Sequence, residues 1–158
     1  MDREKLEKLF AQVQSGEMTI EQALEKLSVL PFDDLGFARL DLHRELRTGL
    51  PEVIFCQGKT VIQVVSIFER LSQNHARVMG TRATPEMAEA VKAVIPVTHF
   101  DPTSRLLTYN PEPSPAFPED APYILVACAG TSDLPVAEEA AQTVEFLGSR
   151  VVRAYDVG

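Results

Sequence analysis

The sequence predicts an α/β protein: a small N-terminal α/β domain preceded by a helical hairpin, a proline-rich linker, then a β-α-β unit with parallel strands. Three observations carry the prediction. From residue 36 onward, apolar runs of strand length alternate with amphipathic helical patterns, as sheet-and-helix layering requires. Five of the 13 residues of NPEPSPAFPEDAP, 110–122, are proline, and proline cannot donate to a ladder and favours extended polyproline II. Beyond it, YILVACAG, an Ala-rich helical pattern and RVVRAYDV follow as strand, helix and strand. That order implies a right-handed crossover between parallel neighbours.

Taken in order, residues 2–15 place Leu6, Leu9, Phe10 and Val13 at helical spacing, and Ser15-Gly16 stops the helix. Thr19 caps a second helix, with Gln22 completing a capping box. Ile20, Ala23, Leu24 and Leu27 form its apolar face, and Leu30-Pro31 ends it. The hairpin over 1–30 reads as a packing or interaction module. In the domain expected over 33–109, FARLDLH alternates as a short strand, with Phe37, Arg39, Asp41 and His43 on one side and Ala38, Leu40 and Leu42 on the other. EVIFC, 52–56, is a clearer buried strand. A helix over 60–71 follows, then ARVMG as a strand. Thr84 caps a further helix with Pro85 at its first position. VTHF and LLTY, joined by Asp101-Pro102-Thr103-Ser104, read as a hairpin. The linker over 110–122 reads as semi-rigid polyproline II and as the domain boundary. In the unit over 123–158, YILVACAG reads as a buried strand. The helix over 132–147 carries Val136, Ala140, Val144 and Leu147 along one face, with Ala137 and Ala141 beside them, and Gly148 ends it.

Composition narrows the function classes. The chain has 158 residues, 45% of them hydrophobic, and a formal charge of −8. It is globular, and its acidity opposes broad nucleic-acid binding, which needs clustered Lys and Arg on phosphates. No apolar run nears the ~20 residues of a membrane span. The start, MDREKLEKLF, is charged from its second residue, unlike a secretory signal. Two cysteines, Cys56 and Cys128, on separate apolar runs suit a reducing cytoplasm rather than a disulfide framework. A small anionic ligand stays open, since a few backbone amides hold one whatever the net charge.

Most motif candidates have bland explanations. Gly58-Lys59-Thr60 suggests a phosphate loop, but the pattern needs glycine where Val53 stands inside a strand. It reads instead as a strand-turn-helix junction capped near Thr60. Lys59, and Arg44 within RLDLHRELRTG, are kept as secondary anion contacts. His43, His75 and His99 share no metal-ligand spacing with the cysteines and read as surface or edge histidines, so no metal site is assigned. AGTSDLPVAEEA is different. Gly130 follows a strand of a parallel pair, and ligands sit at the carboxyl ends of such strands. Ser132 is placed as N-cap over the Leu134 amide, with Pro135 in the first turn, where its missing N–H costs little. The first-turn amides and the Thr131 and Ser132 hydroxyls suit an anion. Asp133 suits ribose hydroxyls or a ring substituent rather than a phosphate. On physics alone, ligand binding and a well-capped turn both remain open.

The same residues carry a family resemblance. AGTSDLPVAEEA resembles the start of the PurE-type aminoimidazole ribonucleotide carboxylase domain, whose first turn has the form G-S-x-S-D, with one turn residue different here. GFARLDLHRELRTGLPEVIFCQGKT together with TRAT resembles LarB, a family of nickel-pincer nucleotide biosynthesis proteins whose relatives have also been labelled circadian phase modifiers. The resemblance runs from Asp34 to the end of the chain.

It implies that the last segment begins a flavodoxin-type parallel sheet. It also implies an activity: carboxylation of the pyridinium ring of nicotinic acid adenine dinucleotide at C5, with cleavage of the phosphoanhydride. The products would be pyridinium-3,5-biscarboxylic acid mononucleotide and AMP. Gly130, Thr131, Ser132 and Asp133 would contact the nucleotide. CO2 would be a substrate, no cofactor would be tightly bound, and Mg2+ is the ion to test. Complete PurE-type relatives assemble as octamers, so a homo-oligomer is expected, with no nucleic-acid or membrane partner. In the family a cysteine thiolate adds to the ring and makes it electron-rich enough to attack CO2. That cysteine lies far into the C-terminal half of the PurE-like domain, and neither Cys56 nor Cys128 sits in its motif, so the catalytic residue is unassigned. Two parallel strands and one helix cover only one sheet face, whereas parallel sheets are buried on both. An incomplete form, inactive alone, is therefore expected. A non-catalytic nucleotide-binding regulator and a purine-pathway carboxylase are the alternatives; the long N-terminal region opposes the latter.

Overall fold

The computed structural model describes residues 3–28, 33–42, 44, 50–109 and 116–158. Packing divides the chain into two compact units, Met1–Glu52 and Val53–Gly158.

The first unit holds helices α1 (Arg3–Gln14) and α2 (Ile20–Ser28). The capping box forms as expected: the Gln22 N–H donates to Thr19 Oγ1 at 3.2 Å and the Thr19 N–H to Gln22 Oε1 at 3.0 Å. Leu9, Met18 and Ala23 form the core of the hairpin, with Val13 against it. Phe10, Ile20 and Leu24, expected on apolar faces, are exposed. Two short helices share one narrow seam, and a seam buries a single row rather than a whole face. The side chains of Leu6 and Leu27 lie outside the described residues. The FARLDLH strand shrinks to β2 (Arg39–Leu40), paired antiparallel with β1 (Asp33–Asp34). Leu40 is buried and Phe37 exposed, as the alternation requires. His43 lies outside the described residues.

The second unit opens with β3 (Val53–Phe55), α3 (Val61–Ser72), β4 (Val78–Thr81), α4 (Pro85–Val94), β5 (Thr98–Asp101) and β6 (Leu106–Tyr109). The sheet order is β3-β4-β6-β5; β3 and β4 are parallel, and the other neighbours antiparallel. Both helix starts are as the sequence predicts. Thr60 and Gln63 make a reciprocal capping box on α3, and Thr84 Oγ1 accepts the Met87 N–H at 3.2 Å on α4. Gly58 supplies the left-handed turn (φ +83°) between β3 and α3. Val64, Ile67, Phe68 and Leu71 of α3 are buried, as are Cys56, Val78, Val91 and Leu107. His75, expected on the surface, is buried; it follows α3 directly, where the chain turns back toward β4.

After residues 110–115, which lie outside the described residues, the linker is pinned. Arg150 donates to the carbonyls of Pro118, Glu119 and Ala121 at 3.3, 2.8 and 2.9 Å, and its guanidinium stacks over Tyr123. Then β7 (Ile124–Cys128), a 3-10 turn (Thr131–Asp133), α5 (Leu134–Phe146) and β8 (Val151–Tyr155) complete the chain. The two strands are parallel, in register from Ile124 against Val151 to Cys128 against Tyr155. Gly148 ends α5 in the left-handed conformation (φ +86°).

Three expectations about this segment need correction. YILVACAG is not buried: Tyr123, Ile124 and Leu125 are 57, 47 and 56% exposed. Its strand has β8 as neighbour and α5 on one side. On α5 it is Ala137, Ala141 and Phe146 that are buried, while Val136 is exposed. Phe146 and Leu147 reach back onto Met79 and Leu106 of the four-stranded sheet. By packing, the sheet and the β-α-β segment therefore form one unit, although the linker lies between them in sequence.

Candidate functional site

The Gly130–Asp133 turn stands at the carboxyl end of β7, where a parallel pair opens. Ser132 is not the N-cap. The turn winds first as a 3-10 helix, the Asp133 N–H donating to Gly130 O at 3.1 Å and the Leu134 N–H to Thr131 O. The Asp133 carboxylate folds back to accept the Gly130 N–H at 3.4 Å. Proline at the second helical position favours this tight entry, because it has no N–H to place. The amides and hydroxyls of Thr131 and Ser132 make no hydrogen bond among the described residues, and both residues are exposed. Gly130 has extended backbone (φ −133°, ψ 168°), which any residue adopts, and a Cβ added there would meet nothing within 4 Å. The glycine is therefore not required by the fold; it leaves open space over the turn.

Beside the turn, Val126, Cys128, Ala129, Asp133, Val136 and Ala140 border an open groove of about 520 Å³. Cys128 is half-buried there. Cys56 is wholly buried, and burial pushes its thiol up to about 11 against the opposing pull of Lys59. It is a core side chain rather than a nucleophile. Lys59 turns its ammonium back onto Phe55 O at 2.6 Å. Arg44 belongs to the first unit, with Glu52 at 3.9 Å. Among the described residues, no three His, Cys, Asp or Glu side chains group as metal ligands. No helix among them is long and apolar enough to cross a membrane.

The sequence reading missed a set of polar residues on and around α5. Arg153 of β8 bridges two acids one heptad apart, with Nε to Glu138 Oε1 at 3.1 Å and Nη1 to Glu145 Oε1 at 2.6 Å. Burial pushes the Glu138 carboxyl up, but hydrogen bonds from Gln142 and Arg153 outweigh it and hold the group below its ordinary value. Burial, and then the Glu138 carboxylate, raise the Tyr155 hydroxyl. Gln142 also bonds to Asp101 and Ser104 in the β5–β6 turn. The signal was present in the Glu138, Gln142, Glu145 spacing, one helical stripe. Its partners, however, are distant in sequence.

The chain matches the LarB/PurE-like N-terminal domain over residues 32–112. It is also similar to a protein of Methanocaldococcus jannaschii described as uncharacterized. The two are 24% identical over 161 residues, covering 97% of this chain and 61% of the relative. The chain thus spans about three fifths of the length of the curated relative it matches.

Proposed function

We propose that this chain, which belongs to the LarB/PurE-like family, takes part in carboxylating the pyridinium ring of nicotinic acid adenine dinucleotide, and that the Gly130–Asp133 turn holds the nucleotide. A LarB/PurE-like domain supports a relationship to carboxylases. The observation that carries the site assignment is the turn itself: two amides and two hydroxyls with no protein partner among the described residues, under open space, at the carboxyl end of a parallel strand. Thr131 and Ser132 would hold phosphate oxygens. The second oxygen of Asp133 would accept from a ribose hydroxyl.

In the overall reaction a C–C bond forms between ring C5 and CO2, and the C5 proton leaves. Water adds to phosphorus as the P–O–P bond breaks, releasing AMP. A pyridinium ring is a poor carbon nucleophile, so a thiolate must first add to it and later depart. Cys56 is unsuited to that role, and Cys128 has no assigned one. The burial of Cys56 favours a second reading of this chain, nucleotide binding without chemistry.

Calorimetry with the dinucleotide tests the site. Asp133→Ala should weaken binding by about 1–3 kcal/mol, roughly 5- to 150-fold in Kd. Gly130→Val should fold normally and bind still more weakly. Unchanged affinity in both would leave the turn as a connection only. Labelled bicarbonate separates the two readings: transfer of label to the mononucleotide, with AMP released, shows chemistry within these residues, whereas binding without transfer, both by this chain and by a version extended to the length of its relative, supports the second.

A further inference from the structure

We infer that the four-stranded sheet is the mount of the nucleotide-binding helix, with Arg82, Asp101 and Ser104 as positioning residues that fix α5, and so the Gly130–Asp133 turn, through Glu139 and Gln142. The inference rests on the reading of that turn as a nucleotide site.

Glu139, Gln142 and Phe146 are spaced i, i+3 and i+7, which puts them on one face of α5. Each meets a different part of the sheet. Arg82, in the loop after β4, pairs with Glu139 at 2.5 Å. In the β5–β6 turn, Ser104 Oγ bonds to Gln142 Oε1 at 3.1 Å, and Gln142 Nε2 donates to Asp101. Phe146 packs on Met79 and Leu106, under the Arg77 guanidinium at 5.2 Å.

Arg82 is the unusual member. Its backbone is left-handed (φ +57°), as is that of Arg105 (φ +58°), a conformation uncommon for a residue other than glycine. Arg105 braces it, donating from Nη2 to Arg82 O and from Nε to Ala83 O, both at 3.2 Å, while its carbonyl takes the Ala83 N–H at 3.0 Å. The conformation delivers the guanidinium to Glu139. Ser104 is 1% exposed, and its hydroxyl is fully engaged between Asp101, Gln142 and the Leu106 N–H.

An apolar seat alone would let α5 rotate or slide. An ion pair at one level and directional hydrogen bonds at the next, above one aromatic anchor, do not. A slip of one turn, about 5.4 Å, would break all three. The 3-10 turn runs directly into α5, so whatever fixes the helix fixes the turn.

The test uses the full chain. Arg82→Gly removes the guanidinium and also relieves the left-handed backbone, so its thermal midpoint should stay near that of the parent. Gln142→Leu removes the second contact independently. In both, hydrogen exchange over residues 129–140 without ligand should quicken. Affinity for nicotinic acid adenine dinucleotide should fall roughly 2- to 30-fold, the span of couplings carried through packed residues. Arg82→Glu combined with Glu139→Arg should restore both values relative to either single reversal. Unchanged exchange over 129–140 in both variants overturns the inference, as does equal dinucleotide affinity in parent and variants. If the parent binds no dinucleotide, the functional reading fails, and the exchange data alone decide the mount.

Discussion

Gly80→Ala puts the packing of the second unit to a quantitative test. Gly80 lies in β4 beside Ile54 of β3 and Leu107 of β6. A Cβ built on it would stand 2.8 Å from Phe68 Cε2, 2.9 Å from Cys56 Sγ and 3.0 Å from Phe68 Cζ. Phe68 and Cys56 are both 0% exposed, so neither can retreat into solvent. Carbon contacts normally rest at about 3.5–4.0 Å, so the neighbours must yield by half an ångström or more. Overpacking of this kind costs about 1–3 kcal/mol, against about 0.4–1 kcal/mol regained because alanine has less unfolded-state freedom to lose. Taking the middle of each range, the net expectation is a destabilisation of about 1 kcal/mol, read as a lower midpoint in urea at unchanged slope. Cys56→Ala removes one of the two obstructing groups, so the double variant should lose less than the sum of the singles. A neutral or stabilising Gly80→Ala, or strict additivity with Cys56→Ala, would refute the reasoning.

Thr60→Ala and Thr84→Ala each remove a hydroxyl that accepts a first-turn amide, and urea unfolding should show losses of about 1 kcal/mol apiece. For Asp101, burial raises the carboxyl, but hydrogen bonds from Gln142, Thr103 and Ser104 outweigh it, and like Glu138 it sits below its ordinary value in the folded chain. A depressed folded value stabilises above the ordinary values of 3.8 and 4.5 and is lost as pH falls through the folded ones. The thermal midpoint should therefore drop on acidification below that range, and less steeply in Gln142→Leu. With a thiol reagent at pH 8, Cys128 should react before Cys56, whose thiol is buried and pushed up to about 11; rapid modification of both would show that the core around Phe68 opens readily.

Local chemistry was legible in the sequence wherever one residue type satisfies a nearby backbone group. Thr19 with Gln22, Thr60 with Gln63, and Thr84 with Pro85 all start helices where their spacing puts them. Strand identity and the parallel pairing of β7 with β8 were legible for the same reason: short apolar runs flanking a helix admit few topologies. Burial was not. An apolar run in a parallel pair looks like a core strand, yet Ile124 and Leu125 are exposed, because burial depends on what lies across the strand. At the candidate site, the positions of Gly130 and Thr131 were legible from the strand-turn-helix pattern. The cap was not, since Asp133 closing the turn onto Gly130 and Ser132 capping Leu134 are local alternatives of similar chemistry.

Helix α5 shows why its apolar face was misread. A surface helix has one buried stripe, and Val136, Ala140, Val144 and Leu147 make a plausible one. This helix is engaged on three sides. Ala137 and Ala141 are buried, their small side chains allowing the helix to lie close on the β7–β8 pair. Glu138 and Glu145 face Arg153 of β8. Glu139, Gln142 and Phe146 face the four-stranded sheet. A helix held between two sheets through polar as well as apolar contacts carries its specificity in acids and amides that an apolar-periodicity reading assigns to solvent. The row left open, Val136 and Ala140, borders the groove beside Cys128 and the Gly130–Asp133 turn. The side of α5 that does least for the fold is therefore the side nearest the proposed nucleotide, and the polar sides set where that site stands.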